Sequence, residues 1–193
     1  NTYSYICGQY GHALGHLGRF DEGKAYLEKA FRNATRLGDL ATLGMIQLNE
    51  GMLFYIKGNF KAAKDHLEKC IVHAEEAKFP MVAAIALCIL GHVHSFLGDP
   101  ESGRRQTEEG LRMFSNSGIE AILPFCYWLM GSIYLDLRDL KNAGYFMEEA
   151  LRLSRKNSEK DREGMALVGL GRVLGRREPS QTKQARECFS KGL

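Results

Sequence analysis

Proline is scarce in this chain, with four in 193 residues, and no low-complexity tract interrupts it. No apolar run reaches the roughly 18 residues that a membrane-spanning helix needs, and the longest, Met81 to Leu90, reads as a buried helix. No stretch reads as a signal peptide. The cysteines are odd in number: Cys7, Cys70, Cys88, Cys126 and Cys188, with no CxxC spacing. That argues against a paired disulfide framework and a zinc knuckle, and it sets the expectation of a reducing, cytoplasmic location. No alternating strand pattern is visible, so there is no strand for a phosphate-binding loop to follow, and no GxSxG occurs. What remains is ordinary for a globular protein, 45% hydrophobic and 25% charged. The first residue is Asn1 rather than Met, which sets the expectation that the chain is a piece of a longer protein.

The chain repeats itself. Gly11, Gly51, Gly91, Gly131 and Gly171 stand forty residues apart. Gly18, Gly58 and Gly98 follow seven residues after the first three, and Arg138 takes that place in the fourth unit. The segments after them are alike: "DEGKAYLEKAF", "KAAKDHLEKCI", "ESGRRQTEEGL" and "KNAGYFMEEAL". The fifth unit fits if two residues are inserted near Glu178 to Gln181. Within a unit, apolar residues recur at three- and four-residue spacing, the helical period. A Gly-Asn or Asp-Pro signal then breaks the pattern before a second helical run, as at Gly58-Asn59 and Asp99-Pro100, and Pro80 marks another helix start. Each unit therefore predicts a helical hairpin, with boundaries at 1–39, 40–79, 80–119, 120–159 and 160–193, in a single domain. A glycine inside a helix costs about 1 kcal/mol relative to alanine. Its recurrence in five units implies a packing reason, shared with the small residues Gly23, Ala63, Gly103 and Ala143 on the second helices.

The pattern resembles the tetratricopeptide repeat: Gly51 with Phe54 and Gly131 with Tyr134 on first helices, Gly58-Asn59-Phe60 at the turn, Ala63 with Cys70 on the second helix. The period of 40 is longer than that family's 34. The longer form resembles arrays in bacterial signalling ATPases and transcription activators, and scaffold proteins named for a Leu-Gly-Asn repeat. The resemblance implies an all-α fold, a right-handed α-solenoid (superhelix) of about five hairpins. It also implies a non-enzymatic protein-interaction module whose first helices line a concave groove.

Two histidines, His12 and His16, share the i, i+4 spacing of a helical zinc pair. The repeat explains them otherwise. Their equivalents are Met52/Ile56, His92/Phe96, Ser132/Asp136 and Arg172/Arg176, so no second unit keeps two ligands, and no Glu follows His12 to act as a general base. No catalytic, metal or cofactor site is assigned. Carboxylate pairs such as Glu108/Glu109 and Glu148/Glu149 read as solvated faces of second helices.

By the resemblance, the inward positions lie six and three residues before each repeat glycine, and one, four and five after it. In the middle units these are apolar and aromatic, including Met45, Leu48, Met52, Tyr55, His92, Phe96, Phe125 and Trp128. Such a floor suits a peptide or partner helix, with a neighbouring domain of the same longer chain among the possible partners. The competing reading is that the stripe is core. The family's carboxylate-clamping groove is rejected: Asn49 matches, but Gly8, Ile85 and Ile89 stand where Lys and Arg belong. Charge is uneven. Residues 152–193 carry 11 Lys/Arg against 5 Asp/Glu. Arg172, Arg176 and Arg177 there form the alternative surface, for nucleic acid, although only Phe189 interleaves an aromatic with these charges. A ligand-sensing regulatory domain is the other alternative. No membrane partner is expected.

Overall fold

A computed structural model of the chain describes residues 2–115, 119–177 and 181–193. Among the described residues there are ten α-helices and no strand: α1 (Thr2–His16), α2 (Phe20–Leu37), α3 (Leu40–Ile56), α4 (Phe60–Glu76), α5 (Pro80–Phe96), α6 (Pro100–Ser115), α7 (Leu123–Asp136), α8 (Leu140–Lys156), α9 (Lys160–Arg177) and α10 (Thr182–Gly192). They pair as five antiparallel hairpins stacked into an all-α solenoid. The sequence-level insertion near Glu178 to Gln181 falls largely on residues outside those described.

The junctions are built by local chemistry. A left-handed residue closes a helix at positions 18, 38, 58, 78, 98, 138 and 158. Four of these are glycine; Lys78, Arg138 and Ser158 adopt φ of 54°, 60° and 60° without that freedom. The residue that follows often caps the next helix. The side chains of Asp39, Asn59, Asp99 and Asp139 accept from the backbone N–H three residues on, at 3.0–3.2 Å. Pro80 and Pro100 begin α5 and α6, where a missing N–H costs nothing.

The two helices of a hairpin have unequal neighbours. Each odd helix from α3 onward packs on its own partner, on the second helix of the preceding hairpin, and on the preceding odd helix. The even helices α2, α4, α6 and α8 do not touch one another. Odd helices therefore form the tight inner layer and even helices the splayed outer one. This is why α5, "PMVAAIALCILGHVHSF", is apolar on every side, whereas α2, α6 and α8 carry one apolar face and one charged face. The central core joins Leu67, Ala84, Ile89, Val93, Cys126 and Leu129 across hairpins two to four. Smaller clusters continue it to each end.

The repeat glycines sit where paired helices nearly touch. A Cβ on Gly11 would lie 2.7 Å from the Gly23 carbonyl oxygen, and one on Gly51 would lie 2.7 Å from Leu67 Cγ. At Gly91 it would run into both the Gly103 carbonyl and the Thr107 hydroxyl. At Gly131 the neighbours are the flexible Met147 thioether atoms, at 3.0–3.2 Å.

Candidate functional site

The inner layer places one column of side chains per odd helix. On α3 these are Met45, Leu48, Met52 and Tyr55; on α5, His92 and Phe96; on α7, Phe125 and Trp128. The structure does not treat them alike. Phe96 is 51% exposed. Met45, Leu48, Met52, Tyr55 and Trp128 are partly buried and rest on the central core. His92 and Phe125 are buried, at 4% and 5%, and form floor rather than surface. Burial of these two follows from stacking: the next hairpin brings Trp128 over His92 and Arg162 over Phe125.

These side chains form a continuous ladder. Phe96 stacks on Phe60 at 4.2 Å and meets the Tyr55 ring edge-on at 6.3 Å. Tyr55 shares a hydrogen bond of 2.7 Å with His92 Nδ1. His92 stands edge-on to Trp128 at 5.5 Å, and Trp128 stacks with Phe125 at 6.0 Å. The Arg162 guanidinium closes the ladder 4.4 Å from the Phe125 ring centroid, a cation–π contact. Two members were not assigned from sequence. Phe60 opens a second helix, outside the inward-position rule, although it stands in the turn motif Gly58-Asn59-Phe60. Arg162 lies on α9 three residues before Met165, the first of its inward positions, and so outside the inward-position rule.

Electrostatics sharpens toward hairpins four and five. The Ser95 hydroxyl donates to Asp136 Oδ2 at 2.7 Å. Beyond it a cleft of about 520 Å³ is lined by Leu135, Asp136, Arg138, Leu140 and Arg176. Arg176 donates to the Leu135 carbonyl and Arg177 to the Leu140 carbonyl, each at 3.0 Å, so both tie α9 to the preceding hairpin. Arg172, the third residue of the basic surface, is exposed. Burial holds the His92 imidazole down at about 4, with nearby Asp136 opposing and Arg172 assisting. The Ser132 hydroxyl, one repeat on from His92, is buried without a hydrogen-bond partner.

At the opposite end His12 and His16 bring their Nε2 atoms to 3.1 Å. Burial, then the neighbouring His16 and Arg162, lower His12 to about 4. Among the described residues no group of three or more His, Cys, Asp or Glu side chains is gathered in a way that could hold a metal ion. Nor is any helix among them long and apolar enough to cross a membrane.

A stack of helical hairpins with an aromatic inner face defines the class: an α-solenoid repeat domain. Family models described as tetratricopeptide repeat match residues 2–76 and 126–157. The chain belongs to the tetratricopeptide repeat family, and so to repeat domains of the protein-interaction or regulatory kind. No curated protein sequence matches it. Among solved structures it is similar to BtubC from P. vanneervenii, with 19% identity, a TM-score of 0.73, and 94% of this chain and 75% of that one covered. It is also similar to aspartyl phosphate phosphatase F from Bacillus subtilis, with 16% identity, a TM-score of 0.77, and 96% and 48% covered. A third is a signal transduction ATPase with a tetratricopeptide repeat sensor from Pyrococcus horikoshii, with 17% identity, a TM-score of 0.70, and 96% and 28% covered. The chain thus spans less than half the length of the phosphatase and about a quarter of the ATPase.

Proposed function

We propose that this domain is a non-catalytic binding module, working in the cytoplasm as part of a larger regulatory protein. Its inner face takes the apolar side of a peptide or partner helix. The observation that carries this reading is the unbroken ladder from Phe60 through Phe96, Tyr55, His92 and Trp128 to Phe125, with Phe96 left half open at its lip. A stable monomer gains nothing from holding an aromatic side chain half in water, whereas aromatic anchors in an apolar floor are what binding hot spots are made of. The cationic groups at one end give the groove a direction. A bound helix with its apolar side on α3 to α7 places an acidic end toward Arg162 and Arg172.

The test uses Trp128, the single tryptophan. Acrylamide should quench its fluorescence partially. Amphipathic-helix peptides selected on the protein from a random library should shift its emission. Phe96→Ala should weaken those peptides by roughly 2 kcal/mol while moving the melting temperature by less than roughly 2 °C. Peptides that bind without altering Trp128 emission, and with equal affinity for the Phe96 variant, would place recognition elsewhere.

A second reading is a sensor for a small ligand. The buried, unpartnered Ser132 hydroxyl on the aromatic floor favours it, since such a group invites a polar atom from a ligand. The likeness to a repeat sensor of a signal transduction ATPase agrees with it. The nucleic-acid reading requires Arg172→Glu to abolish binding that is steeply salt-dependent.

A further inference from the structure

The first helix carries a second surface, on a different side from the groove. Tyr3, Ile6, Tyr10 and Ala13 follow one another at spacings of three, four and three residues, so they share one helical stripe. Three of them are large and exposed: Tyr3 56%, Ile6 59% and Tyr10 47%. The repeat shows what this stripe is elsewhere. Forty residues on it becomes Leu43, Ile46, Glu50 and Leu53 on α3; eighty on, Ala83, Ala86, Leu90 and Val93 on α5. Those stripes are closed, with Ile46 at 1%, Leu53 at 2% and Val93 at 0%. On α3 the covering groups are Leu27, Ala30 and Ala34, one side of α2. On α5 they come from α4.

An open stripe of Tyr and Ile on the inner-layer helix α1 is the kind of surface on which a solenoid takes a further hairpin. The rim of the open stripe is basic. Lys29, Arg32 and Arg36 border Tyr3 around a shallow cleft. Two copies meeting face to face through α1 would set these like charges against each other.

We propose that the exposed stripe of α1 is a stacking interface for the second helix of a further helical hairpin. The partner is an amphipathic helix with a Leu/Ala stripe like Leu27-Ala30-Ala34 of α2. It extends the established interface of α2 on α3 and α4 on α5 by one step. This surface is independent of the concave groove.

The test places a second copy of residues 1–40 ahead of the whole chain, which keeps the forty-residue period, so that its α2 can seat on the original α1. The fusion should melt roughly 5 °C or more above the unfused chain. Ile6→Asp in the original α1 should abolish that gain, yet move the unfused chain by less than roughly 2 °C, because Ile6 faces water there. A fusion that melts with the unfused chain, or an Ile6 effect equal in both settings, overturns the proposal. Sedimentation of the unfused chain supplies the third outcome. A dimer that Ile6→Asp dissociates would make a second copy the occupant and overturn the assignment to a further hairpin.

Discussion

Gly91→Ala lowers the folding stability of this protein by about 3 kcal/mol, whereas Gly131→Ala changes it by less than about 1 kcal/mol. The two glycines hold the same repeat position, and each would gain about 1 kcal/mol of helix propensity from the methyl group. They differ in what the methyl group meets. On Gly91 it would press on the Gly103 carbonyl, which is backbone, and on the Thr107 hydroxyl, which is buried and donates to the Gly103 carbonyl at 3.0 Å. Neither can withdraw without separating α5 from α6. Gly103 returns the constraint, since its own Cβ would collide with the Gly91 carbonyl. On Gly131 the three nearest atoms to the methyl group are all Met147 side-chain atoms, which swing aside through rotatable bonds. Urea unfolding of both variants checks the difference. Equal midpoints would mean that the α5–α6 contact is no tighter than that of α7 and α8.

Acidification from pH 7 to 4.5 destabilises the fold by about 2 kcal/mol through His92 alone. Burial holds the folded imidazole at about 4, against an ordinary value of 6.5. The folded state therefore binds fewer protons than the unfolded chain across that window. The stability His92 contributes is complete above pH 6.5 and is lost as pH falls toward 4. His12, also held at about 4, adds in the same direction. The groups facing His92 fix the sign: the Tyr55 hydroxyl and Trp128 ring desolvate it, Asp136 pulls upward and Arg172 downward. His92→Gln should flatten the stability profile between pH 6.5 and 4.5. It should also loosen Trp128, read as a red shift of its emission at pH 7. A wild-type profile as flat as that of the variant would show that the imidazole titrates normally.

Much of this protein was legible in its sequence because repetition is one-dimensional. The forty-residue spacing of Gly11 to Gly171, the breaks at Gly58-Asn59 and Asp99-Pro100, and the start at Pro80 are local signals, and helix formation is decided locally. They located the paired helices and the hairpin stack, and the shape of the repeat pointed to the family. Lys78 and Ser158 escaped notice as helix terminators because neither is glycine, yet both adopt the left-handed backbone.

The inner face was legible only as a set of candidates. Its residues share a helical phase, but phase says nothing about depth. Whether Phe96 stays open while His92 and Phe125 close depends on which ring the following hairpin lays over each, and that is set by contacts between residues some forty positions apart. The same holds for the stripe on α1. Tyr3, Ile6 and Tyr10 read as one more amphipathic face until the stack shows that the matching faces of α3 and α5 lie covered. By itself the sequence determined the helices, their pairing and the family, since those rest on spacing along the chain. Only the tertiary structure decided which glycines are tight, which aromatics are floor and which face is unpaired, because each of those is a distance between helices, and packing against distant neighbours sets it.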